Sequence, residues 1–373
     1  MSAALKQPID EALTWSIRVL SADCEARWDA YVMGHPSSMP YHLLAWRDSI
    51  QHAYQHRPYY LFAENHSREV CGVLPLFEIN IPFGSRKFVS LPFCDAGGPL
   101  ADSEKIAADL LAFAESYAVE SGASALDIRH SPLPASLLKQ SFDAVTIAQG
   151  DIPDGKKVSM ILALPDSADS LSKGFKSKLR SQINKAKKNG LTFRAGNSDR
   201  ELHDFYAVFV RNMRDLGSPV HAFELFKQVI AGFGRQSTIG VVSLGDVPVG
   251  AGLLLFCGDR VSIPWASTRS DYNRLAPNML LYWGLLEYSC DRGCRLFDFG
   301  RSSFGEGTYR FKKQWGAAAM PLEWVDVLQP SSTTRDGVSK PGRARRWVEN
   351  LWRRLPLALT NILGPRIRRY ITL

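Results

Sequence analysis

The chain has 373 residues, of which 45% are hydrophobic and 22% charged, so it can bury a sizeable core and is not a disordered chain. Its formal net charge of +8 points to an anionic partner such as nucleic acid, a nucleotide-linked substrate or an anionic membrane surface. The six cysteines form no C-x-x-C pair and no His/Cys cluster has zinc spacing, which argues against a metal site and fits small buried hydrophobes of a reduced compartment.

In chain order, no basic start followed by an apolar core opens the sequence, so no signal peptide is expected. Residues 59–63 and 70–77 read as strands joined by a polar hairpin connection. Residues 87–91 give a further strand, followed by the glycine turn 95–99. A helix over 103–121 comes next, with Ser103 as N-cap and Gly122 as stop, and then a strand over 125–129.

The second half repeats this grammar. One helix is expected over 170–189 and another over 199–216. A hairpin joins 238–244 to 250–257, a strand covers 261–266, a helix 278–292 and a strand 295–299. Each half thus holds a hairpin, a further strand, a helix and a closing strand, which predicts a tandem duplication of one α/β (α+β) unit with mixed sheets. The expected domains are 1–160, 161–328 and a polar linker with a basic tail over 329–373. The longest apolar run, at 247–257, is too short to span a bilayer.

Three stretches carry chemistry. The first is the helix 170–189, where Lys173, Lys176, Lys178, Arg180, Lys185, Lys187 and Lys188 stand without one acidic residue among 171–190. Lys176, Arg180, Lys185 and Lys188 are its candidate polyanion contacts, because like charges one turn apart are unfavourable without a partner. A solvated face is the plainer alternative. The second is the tail, where residues 343–373 hold eight arginines and one glutamate interleaved with Trp347, Leu351, Trp352, Leu355, Leu357, Leu359 and Ile362. It suits either an interfacial membrane segment or a helix packed on the body. The expected location is cytoplasmic, with peripheral contact at the inner membrane on the first of these two readings of the tail.

The third stretch is 296–316, LFDFGRSSFGEGTYRFKKQWG, which reads as a buried strand breaking into a Gly/Ser loop that starts a short helix. A lysine just after such a loop, Lys312, can hold a developing oxyanion or a phosphate. The sequence lacks G-x-G-x-x-G, G-x-S-x-G and H-E-x-x-H, so hydride transfer, serine hydrolysis and zinc proteolysis lose support. No helix-turn-helix, zinc finger or RNP motif appears, so sequence-specific DNA binding is not expected.

These pieces resemble the FemAB family, tandem GNAT-like acyltransferases that form amide bonds. The family segment G-x-Y-x-F-K-x-x-[FW]-G is met by Gly307, Tyr309, Phe311, Lys312, Trp315 and Gly316. Further likeness lies in Gly98-Pro99-Leu100-Ala101-Asp102, in Arg214-Asp215-Leu216-Gly217 and in Asp298-Phe299-Gly300-Arg301-Ser302. Residues 30–328 are covered, and the pattern is similar to FemAB-related proteins associated with exosortase and exopolysaccharide systems.

The resemblance implies an N-acyl or aminoacyl transfer to an amine of an envelope glycan or peptide acceptor. Lys312 and Phe311 are the implied catalytic pair. Asp102, Arg214, Asp298, Arg301, Ser302, Tyr309 and Trp315 are the implied substrate contacts. The donor is aminoacyl-tRNA or acyl-CoA, with no metal or bound cofactor. The stretch 272–278 lacks the glycines with which GNAT acyltransferases cradle the coenzyme A pyrophosphate, which argues against ordinary acetyl-CoA use. No lysine stands three or four residues after Trp46, unlike the peptidoglycan branch of the family. The competing expectation is a non-catalytic scaffold of a polysaccharide assembly system.

Overall fold

The computed structural model describes residues 15–82, 84–130, 152–329 and 343–372. The first half contains β1 (Trp15–Val19), α1 (Glu25–Gly34), α2 (Leu44–Tyr54), β2 (Arg57–Pro58), β3 (Leu61–Asn65), β4 (Val70–Leu74), β5 (Phe77–Asn80), β6 (Arg86–Val89), β7 (Leu100–Ala101), α3 (Glu104–Glu120) and β8 (Ala125–Arg129). The Ser103 side chain caps α3 by accepting from the Ile106 amide, as its sequence position predicts.

The second half begins with β9 (Lys157–Ala163), α4 (Ala168–Gly174), α5 (Ser177–Lys188) and β10 (Leu191–Gly196). It continues through α6 (Asp199–Asp215), α7 (Phe223–Phe233), β11 (Ser237–Leu244), β12 (Val247–Cys257) and β13 (Arg260–Thr268). It ends with α8 (Pro277–Asp291), β14 (Leu296–Ser303), α9 (Gly307–Lys313) and β15 (Ala318–Pro321). After these come β16 (Trp324–Asp326), α10 (Arg343–Arg354) and α11 (Leu357–Arg368).

The strands form three mixed sheets, ordered β1-β3-β4-β7, β16-β8-β6-β5-β2 and β10-β11-β12-β13-β14-β9-β15. The expected duplication is visible in the connections. Each half has an antiparallel hairpin, β3–β4 or β11–β12. Each also has a parallel strand pair bridged by a helix, β6–α3–β8 or β13–α8–β14.

Four expectations need correction. Residues 70–77 are two strands, because Pro75 interrupts the ladder and sends β4 and β5 into different sheets. The helix over 170–189 is two helices, because Phe175 and Lys176 are extended (ψ 144° and 146°) and Phe175 is buried between Trp283 and Trp315. The boundary at 160/161 cuts through β9, which lies inside the seven-stranded sheet, and β16 returns to pair with β8 of the first half. Finally, the strand over 295–299 runs on to Ser303 through a bulge at Gly300, which has φ +71°.

The two halves share one apolar core. Trp46 of α2 stacks on Trp265 of β13 with ring centroids 5.7 Å apart, and Phe226 of α7 meets the same Trp265 at 4.8 Å. A second core surrounds α8 and a third surrounds α3. All six cysteines are buried and free.

The tail packs on the body through one face. A Cβ on Gly364 would lie 2.8 Å from Val220 Cγ1, so only glycine allows this approach of α11. Arg368 Nε donates to His221 Nε2 at 3.0 Å, and the Thr372 carbonyl accepts from the Phe93 amide at 2.8 Å.

Candidate functional site

The cleft between the halves arises from strand divergence. β13 and β14 pair in parallel only over Arg260–Ser262 and Leu296–Asp298, and then separate. Pro264 cannot donate to a ladder, and the Gly300 bulge turns β14 away. The opening is a cavity of about 260 Å³ walled by Ile263, Pro264, Asp298, Gly300, Arg301 and Lys312 from the second half. The first half supplies Met39, Tyr41 and the loop from Phe93 to Ala96.

Lys312 enters this cleft from α9 and is 8% exposed. Its Nζ donates to the Gly300 carbonyl at 3.0 Å and the Arg301 carbonyl at 2.8 Å, at the bulge where the β14–β9 register shifts. An ammonium has three N–H groups, so these two bonds leave one for a ligand. Burial pushes its pKa down to about 8, against the pull of the Asp298 and Asp95 carboxylates.

Asp298 is also buried. Its Oδ1 accepts from Ser159 Oγ at 2.6 Å and from the Gly300 amide at 2.8 Å. Burial raises its pKa in spite of these bonds. Across the cleft, Asp95 pairs with Arg301, Oδ1 to Nη1 at 3.3 Å, while Oδ2 accepts from the Arg301 amide at 3.2 Å. The Arg301 guanidinium lies 5.3 Å from the ring centroid of Trp324, and the Trp324 indole donates to the Asp95 carbonyl at 2.9 Å. Tyr282 completes the wall, stacked 5.7 Å from Phe299.

The structure brings Lys312, Asp298 and Arg301 into one cleft. The other expected contacts lie elsewhere. Phe311 is half-buried behind the wall, 5.0 Å from Tyr282. Tyr309 packs on Phe304, and Trp315 packs on Phe175 as core. Ser302 is buried on β14 with an unpartnered Oγ and does not line the cleft. Asp102 borders a separate hollow, where it accepts from the Tyr31 hydroxyl at 2.9 Å. Arg214 ends α6 and pairs with its neighbour Asp215 at 2.8 Å.

On α5, Lys176, Lys185 and Lys188 are exposed, with Lys176 as its N-cap. Arg180 has a structural task, since its guanidinium donates to the Phe175 carbonyl at 2.7 Å across the break between α4 and α5. The cleft residues missed from the sequence are Tyr41, Asp95 and Ser159. Asp95 stands in the glycine turn 95–99 already singled out, so its signal was present beside Asp102. Ser159 carries no signal in the sequence, because its place in the site depends on β9 joining this sheet beside β14.

Residues 173–313 match the family described as the acetyltransferase (GNAT) domain. That stretch is similar to the GNAT acyltransferase domain. No curated protein matches the chain. Among solved structures, one described as FemX is similar with a TM-score of 0.62 and 16% identity, over 82% of this chain and 95% of that one. The C-terminal domain of an assigned lysylphosphatidylglycerol synthetase from Agrobacterium fabrum aligns with a TM-score of 0.52 and 13% identity, over 81% and 91% of the two chains. A conserved protein of unknown function from Bacteroides thetaiotaomicron gives a TM-score of 0.51 and 10% identity, over 83% and 97%. At these identities the likeness is one of fold, and it extends across both halves.

Proposed function

We propose that the protein is an N-acyl or aminoacyltransferase of the FemAB type, acting on an amine of a cell-envelope intermediate. The observation that carries this reading is the buried Lys312 ammonium in the cleft between the halves, with one N–H left over and the Asp298 carboxylate nearby. The acceptor amine attacks the carbonyl carbon of an activated acyl ester or thioester. Lys312 donates its remaining N–H to the oxygen that becomes negative. Asp298, with its raised pKa, takes the proton from the attacking nitrogen and returns it to the departing hydroxyl or thiol as the ester or thioester bond breaks. Asp95 and Arg301 fix the facing walls and orient the two reactants.

The donor side supports aminoacyl-tRNA over acyl-CoA. α8 opens with Pro277, which has no N–H, after Ala276 in the left-handed region at φ +61°, so this helix start offers few amides to a pyrophosphate. The exposed Lys176, Lys185 and Lys188 add positive charge suited to a polyanion.

The test is donor binding and transfer with the full chain and its Lys312→Ala variant. Charged tRNA should bind in a salt-sensitive manner, with coenzyme A esters binding weakly. Transfer to an envelope amine should fall roughly 10²- to 10³-fold in the variant. Acyl-CoA binding without tRNA binding would reassign the donor. Full activity in a folded Lys312→Ala protein would overturn the catalytic reading and favour the scaffold alternative.

A further inference from the structure

The tail uses one face for the body and leaves another uncovered. On α10, Trp352 is buried, whereas Trp347, Val348 and Leu351 are 67%, 54% and 47% exposed. Spacings of one and four residues put these three side chains on one arc of the helix. On α11, Thr360 and Gly364 face the body, whereas Leu359 and Ile362 are 39% and 57% exposed. Among the described residues, the exposed large hydrophobic side chains are concentrated here, with Ile367 and Ile371 continuing the series.

The charge of this surface identifies what covers it. Residues 343–373 hold eight arginines and one glutamate, a formal +7 of the chain's +8. Arg346, Arg353, Arg354 and Arg366 are exposed among the apolar side chains. An apolar stripe containing tryptophan and bordered by arginine matches the boundary layer of an anionic bilayer, where the rings and aliphatic side chains enter the acyl region and the guanidinium groups meet phosphates. A second apolar protein would leave these arginines unmatched. Among the described residues, no helix is long and apolar enough to cross a membrane, so the contact is a surface one.

We propose that α10 and α11 form a docking surface for an anionic lipid bilayer. This inference does not depend on acyl transfer, since it concerns residues outside the cleft. The docked segment nevertheless reaches the cleft wall. The Thr372 carbonyl accepts from the Phe93 amide and from the Arg129 guanidinium, and Phe93 lines the cavity. Docking therefore places the cleft close to substrates carried on the membrane.

Co-sedimentation of the full chain with vesicles tests this. Vesicles of equal parts phosphatidylglycerol and phosphatidylcholine should retain the protein, pure phosphatidylcholine vesicles should not, and added salt should release it. Trp347→Ser with Leu351→Ser, and separately Arg353→Gln with Arg354→Gln, should each weaken retention at least tenfold while thermal unfolding stays that of the parent. Retention unaffected by both pairs, or equal on neutral and anionic vesicles, would overturn the proposal. So would a dimer that is lost with Leu351→Ser in a protein that ignores vesicles, which would assign the surface to a second copy.

Discussion

Lys312 is a buried cation that donates to two carbonyls, Gly300 and Arg301, and its burial fixes how it responds to pH. Oxyanion stabilisation requires the protonated form, so transfer should fall as pH rises through about 8. Stability moves the other way. The folded pKa lies below the ordinary lysine value of 10.5, so the unfolded chain binds more protons between about 8 and that value, and this group's contribution to stability rises with pH across the window. Lys312→Arg keeps the charge at all these pH values and should move the alkaline limb of the rate profile upward while lowering the rate. An unchanged alkaline limb in that variant would assign the titration to another group. At this scale the sequence pointed to Lys312, Asp298 and Arg301 because they sit in one short motif. Asp102 is implied by the resemblance of Gly98–Asp102, whereas Asp95 meets Arg301 only once the two halves pack together, which no local pattern shows.

At the scale of elements, the break between α4 and α5 is held by Phe175, whose ring lies 5.9 Å from Trp283 and 5.5 Å from Trp315. Trp315 follows α9, so this aromatic contact supports the helix that carries Lys312. Phe175→Ala should cost about 3 to 5 kcal/mol in denaturant unfolding. A loss below about 1 kcal/mol would show that the site collapses without needing the ring. Local signals predicted elements whose ends have their own chemistry, as with Ser103 before α3, the Gly245 turn between β11 and β12, and the strand 125–129. They failed where tertiary contact overrode a continuous pattern. Residues 170–189 have good helical spacing throughout, and the apolar slot for Phe175 interrupts them. Pro75 was visible in the sequence, but its separation of two sheets depends on partners distant in the chain.

At the scale of the molecule, the halves are repeats in design and one body in energetics. Trp46, Phe226 and Trp265 belong to a core that neither half completes alone. β16 pairs with β8 after the second half has finished, and the Leu126 amide donates to the Asp326 carboxylate at 3.2 Å. The tail then bonds to Phe93, Arg129 and His221. Calorimetry should therefore give one cooperative transition. Two separated transitions would show that the halves unfold independently.

The return of β16 also limits how such a chain can be recombined. A chimaera joined between β8 and β9 would take its first half from one parent, while β16 and the arginine-rich tail, which finish that half, would come from the other. Exchange between related chains should work best when a first half travels with its own β16 and tail, so that the heritable unit is discontinuous in the gene although continuous in space.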